Sequence, residues 1–90
     1  MPAWVHESPH FLNHDGRRFA AAVGSAQADN PALARVAATD RARADLLKLI
    51  QGGEPGDALA GVLTGSRVTD AFASKTQGLV FVRVEVEMTH

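Results

Sequence analysis

The 90 residues include no cysteine. Disulfides, thiolate nucleophiles and cysteine-ligated zinc or iron–sulfur centres are therefore excluded. Excess charge is missing as well: 9 basic residues stand against 10 acidic ones, for a formal net charge of −1. Nucleic-acid surfaces normally carry a basic excess, at least locally, so generic duplex binding is disfavoured. No run of like charge exceeds the pair Arg17–Arg18, and there is no acidic or basic tail. No apolar run approaches the roughly 20 residues of a membrane span. Met1 to Glu7 lacks the basic region and apolar stretch of a signal peptide. A cytoplasmic protein is expected, or a virion protein if the chain comes from a phage. The bias to Ala, Gly, Arg, Asp and Val, with one Ile and two Lys, fits a GC-rich bacterial or phage genome. There is no internal repeat, linker or low-complexity segment.

What remains is one small domain. Apolar residues make up 46% of the chain, but 16 of them are alanine. Alanine buries little area, so the core is expected to rest on Leu, Val, Phe and Trp. A core that thin makes a partner or a second copy useful.

The strongest local signal is Leu79 to Met88. Val80, Val82, Val84, Val86 and Met88 alternate with Arg83, Glu85 and Glu87. Period-two alternation predicts a strand with one buried and one wet face, as in an antiparallel sheet. Leu79 and Phe81 break the polar face, which implies cover at that end. Arg67 to Ser74 precedes it across Lys75-Thr76-Gln77-Gly78, a turn composition, so the two segments read as a C-terminal β-hairpin. The middle is helical. Asp29 or Asn30 caps, Pro31 opens, and the helix runs to Gln51 before the stop at Gly52-Gly53. Leu33, Val36, Leu47 and Ile50 lie near one face, with a break or kink expected near Thr39. A short second helix is expected over 58–65. The N-terminal third is less determinate. Trp4 to Glu7 reads as a short strand and Ser8 to Gly16 as loop. Arg17 to Val23 is either a helix capped by Asp15 or the return strand of a hairpin turning at Asp15-Gly16; alanine content favours the helix. The expected fold is α+β: a small antiparallel sheet with a C-terminal β-hairpin packed against two or three helices.

Candidate chemistry is sparse. His6-Glu7-Ser8-Pro9-His10 matches the letters of a zinc-protease motif, whose histidines must share a helical face. Pro9 inside the motif opposes that helix. His6, His10 and His14 are spaced by four, but on a strand such a spacing spans about 13 Å, too far for one ion. Ser8 lacks an orienting partner for nucleophilic catalysis. Gly52-Gly53-Glu54-Pro55-Gly56 superficially resembles a phosphate loop, yet Glu54 and Asp57 place negative charge there and no lysine follows. Glu85 and Glu87 have the spacing of an acid–base pair, which is also that of a solvated strand face. Arg35, Arg41, Arg43 and Lys48 mingle with Asp40 and Asp45 as on an ordinary salt-bridged helix.

No catalytic, cofactor or metal site is therefore expected, and an enzyme is disfavoured. The expected role is a non-catalytic interaction or assembly subunit, such as a phage or virion component or a small bacterial accessory protein. Its partner would be another protein or a second copy of itself, with no membrane and with nucleic acid disfavoured. Trp4 and Phe11 are candidate anchors, and Arg83, Glu85 and Glu87 could pair with a neighbouring strand if the C-terminal strand lies at a sheet edge. Two alternatives are a small enzyme or metal-binding protein using the N-terminal histidines, and a nucleic-acid-associated regulator using Arg17, Arg18 and the long helix.

Overall fold

A computed structural model describes residues 2–27, 29–51 and 65–88. After a short 3₁₀ turn at Ala3–His6 come strands β1 (His10–His14) and β2 (Arg17–Gln27). Helix α1 (Pro31–Gln51) follows, then β3 (Arg67–Ser74) and β4 (Leu79–Glu87). The strands form one antiparallel sheet in the order β1-β2-β4-β3. The α+β class and the C-terminal hairpin are as the sequence predicts. There are fewer helices: among the described residues α1 is the one α-helix, and the expected helix over 58–65 falls almost wholly outside them.

Three local expectations are corrected. Arg17 to Val23 is strand. Asp15 (φ 52°) and Gly16 (φ 75°) both adopt positive φ, the conformation of a tight two-residue hairpin turn, and join β1 to β2. The supposed loop Ser8 to Gly16 therefore contains β1. Trp4 to Glu7 is mostly a 3₁₀ turn instead of a strand.

Helix α1 starts where expected. The Asn30 Oδ1 atom accepts the Ala32 amide at 2.8 Å and the Leu33 amide at 3.4 Å. No break occurs at Thr39, which spends its hydroxyl on the Arg35 carbonyl four residues back. The buried face is not the one marked by the large side chains. Leu33 and Val36 are 64% and 59% exposed, whereas Ala34, Ala38, Ala42 and Leu46 are fully buried at strict four-residue spacing. Ala38, Ala42 and Leu46 pack on Ala20, Ala22 and Ala26 of β2 and on Val82, Val84 and Val86 of β4. Alanine is thus half of the buried apolar set among the described residues, and Trp4 is not in it.

The small side chains bring α1 unusually close to the sheet. A Cβ at Gly24 would overlap the Ala38 carbonyl oxygen and lie 2.6 Å from the Ala42 amide nitrogen. On the other face, Phe19, Ala21 and Phe81 are also buried, as is Val5 of the 3₁₀ turn, which contacts β2 and β4. β4 is therefore covered on both sides, not wet on one. It is also central, between β2 and β3, so its expected place at the sheet edge is corrected too. The strand at that edge is β3, irregular between Val68 and Asp70.

Two glycines separate steric from conformational demands. Gly24→Ala puts a methyl into helix backbone and should destabilise by about 3 kcal/mol or more. Gly16→Ala meets nothing within 4 Å. It should cost about 1–2 kcal/mol, from positive φ alone. Urea denaturation of both variants checks the order; equal losses would refute the close approach.

Candidate functional site

The charged residues of β4 are tied into the molecule. Arg83 stands opposite Asp70 of β3 and Val23 of β2, and its side chain is only 11% exposed. Its Nε donates to Glu7 Oε1 at 3.0 Å, one Nη to Thr69 Oγ1 at 3.0 Å, and the same Nη to Glu85 Oε2. The irregularity at Thr69 thus accompanies a third acceptor for the guanidinium. Burial by itself lowers the Arg83 pKa, but the bonds to Glu85 and Glu7 and their negative charges outweigh it and hold it above the ordinary arginine value. The guanidinium stays charged wherever the protein is folded. Glu87 lies 3.5 Å from Arg17. Arg83, Glu85 and Glu87 are therefore engaged within the chain, which corrects the expectation that they wait for opposite charges on another strand.

The aromatic candidates separate. Trp4 is half-buried in the 3₁₀ turn. Phe11 is 38% exposed on β1, and the Arg18 guanidinium sits 4.5 Å from its ring centroid, a cation–π contact that partly roofs it. The histidines are not gathered. His6 ends the 3₁₀ turn, while His10 and His14 begin and end β1. The His10 ring shares a hydrogen bond with the Ser8 carbonyl at 2.7 Å, and His14 lies 3.2 Å from Asp15. Among the described residues no three metal-ligating side chains come together. Nor is any described helix long and apolar enough to cross a membrane. An open depression of about 210 Å³ on α1 is lined by Arg35, Val36, Thr39, Asp40 and Arg43, all from one helix; it encloses no convergent set of polar groups.

What the sequence reading missed is a length mismatch. β2 has eleven residues and β1 five, and their pairing ends at His10 opposite Ala21. Pro9, with φ fixed at about −65°, stands immediately before His10, where the pairing stops. Val23 to Gln27 consequently pair with β4 on one side and with no strand on the other among the described residues. The parity of the ladder identifies the free groups. Arg18, an even position, gives its carbonyl to the Met88 amide on the β4 side. Odd positions therefore face away from β4, toward β1 where it exists. The Ser25 carbonyl agrees: it accepts Arg41 Nη1 of α1 at 2.6 Å instead of a strand amide. Arg41 belongs to the helical row Leu33–Ala37–Arg41, so that row runs beside the open edge, with exposed Leu33 in it. Pro9 and the unequal strand lengths were the available signals, but they speak only once both segments are known to be strands.

Comparison with known proteins finds no family model, no curated protein and no solved structure that matches this chain.

Two outcomes test the site. Arg83→Met leaves Glu85 nearly buried without its cation and should cost about 2–3 kcal/mol, of which the double variant Arg83→Met/Glu85→Met should recover a substantial part. An additive double variant would show that the pair is not coupled. Replacing His6, His10 and His14 together by Asn should leave the thermal midpoint unchanged, with or without chelator. A midpoint that falls on chelation only when the histidines are present would establish a metal site.

Proposed function

We propose that this domain is a non-catalytic protein-interaction or assembly module. The observation that carries the reading is the open edge of β2 from Val23 to Gln27, bordered by the exposed Leu33. An edge offering amides and carbonyls in register, beside an apolar side chain, is the chemistry by which one chain adds a strand to another. The charged residues of β4 support the reading from the other side. They are consumed in internal ion pairs and hydrogen bonds, which hold the 3₁₀ turn and β3 on the sheet. A cytoplasmic or virion setting belongs to the same proposal, since a cysteine-free chain draws nothing from an oxidising compartment.

Native mass spectrometry of the chain isolated from the cells that make it tests the reading. The expected result is a species heavier than the 9.5 kDa chain, reverting toward the single chain in Leu33→Lys. Recovery of the lone chain at every concentration would overturn it, as would turnover of a small-molecule substrate by the monomer.

A further inference from the structure

The face of α1 turned away from the sheet carries a pattern with no partner among the described residues. We infer that a second copy of this chain packs on it, α1 against α1 and antiparallel, about a two-fold axis midway between Asp40 and Arg43. The inference rests on the interaction reading above and names a partner, but the contact lies apart from the open edge of β2.

Leu33, Val36, Asp40, Arg43, Leu47 and Ile50 follow one another at alternating spacings of three and four residues. That spacing is the seam of a two-helix contact, here apolar at both ends and charged in the middle. At 3.6 residues per turn the seam lies roughly opposite Ala38, Ala42 and Leu46, which hold α1 on the sheet. A second molecule on the seam is therefore kept off the sheet by the width of the helix. Leu33 and Val36 are the two most exposed large apolar side chains among the described residues. Asp40 is exposed, and Arg43, Leu47 and Ile50 are half-buried. Val36, Thr39, Asp40 and Arg43 line the open depression on α1. Their positions, i, i+3, i+4 and i+7, are those of the hole that receives a side chain from a facing helix.

The order of residues along the seam selects the occupant, because reversed it is its own complement. An antiparallel two-fold sets Leu33 opposite Ile50 of the other copy, Val36 opposite its Leu47, and Asp40 opposite its Arg43. Both central pairs then join opposite charges. A parallel pair would set Asp40 against Asp40 and Arg43 against Arg43, so charge fixes the direction. Asp40 forms no salt bridge among the described residues. Arg43 donates through Nε to Ser66 Oγ at 3.1 Å, which leaves its Nη groups for a carboxylate. The Arg43 stem of each copy enters the depression beside Asp40 of the other. At the separation of about 8–10 Å typical of packed helices, the two copies stack as sheet, helix, helix and sheet. An unrelated amphipathic helix would cover the apolar ends but has no reason to present the matching central pair.

Sedimentation equilibrium of the purified chain up to high micromolar concentration should show a monomer–dimer equilibrium. Asp40→Arg alone, or Arg43→Asp alone, turns both central attractions into repulsions and should weaken the dimer at least tenfold. An equimolar mixture of the two variants restores opposite charges in a heterodimer and should associate within about threefold of the original chain. An unchanged helical circular-dichroism signal and thermal midpoint would show that each variant folds, and recovery in the mixture cannot come from folding. Since the chain has no cysteine, Val36→Cys and Leu47→Cys report the direction: mild oxidation of their mixture should join the two variants in preference to like pairs. A monomer at every concentration overturns the inference; heavier complexes from cells would then still sustain the interaction reading. A dimer indifferent to charge reversal in a folded chain, a mixture that fails to recover, or disulfides formed mainly between like variants also overturns it, because the contact then lies elsewhere or runs the other way.

Discussion

The constraint on which the rest depends is the close approach of α1 to β2 at Gly24. Helix backbone lies where a side chain on the strand would be, so every neighbouring position on the contact must also be small. Ala38 and Ala42 on the helix and Ala20, Ala22 and Ala26 on the strand meet that demand. Alanine contributes little area per residue, but here it brings backbone against backbone, where many weak dispersion contacts add up. Larger residues enter only as the helix extends toward Leu46 and over β4, where Val82, Val84 and Val86 fill the wider space. The approach also sets how far α1 sits from the edge of β2, and thereby lets Arg41 reach the Ser25 carbonyl.

The second face of the sheet is organised by charge. Arg83 gathers Glu7 from the N-terminal segment, Thr69 from β3 and Glu85 from its own strand. Those contacts hold the 3₁₀ turn against the sheet, where Val5, Phe19 and Phe81 are buried. A guanidinium with several fixed acceptors suits such a junction better than a lysine, because its planar fork can serve them at once.

Legibility followed local periodicity. β4 and the limits of α1 could be read because alternation, capping and stop residues are local signals. Arg17 to Gln27 could not. It is alanine-rich and buried on both faces, so it shows neither alternation nor β-branched enrichment. The helix face was misjudged for a related reason: Leu33 and Val36 are larger than Ala34 and Ala38 and dominate any reading by hydrophobicity, although tight packing selected the smaller set. Strand order was not legible at all, since the pairing of β2 with β4 joins residues some sixty positions apart. Of the candidate contact residues, Phe11 is exposed and Arg83, Glu85 and Glu87 are committed internally. The open edge of β2 was hidden behind the helix reading of that segment.

The insertion of β4 between β2 and β3 has a consequence for synthesis. Both flanking strands run antiparallel to β4 and do not pair with each other. A ribosome that has released residues 1–78 has supplied the β1–β2 hairpin, the helix and β3, yet β3 has no strand to join and half of the helix-facing core is still missing. The sheet closes only when Leu79 to Glu87 emerges and slots between two preformed borders. Until then the β4-facing side of β2, which carries the amides of Ala20, Ala22, Gly24 and Ala26, is unsatisfied and open to other nascent chains. The latest of the four described strands to be translated is thus the one that makes the sheet cooperative, and a pause in translation before Leu79 lengthens the interval in which the chain is exposed to mispairing.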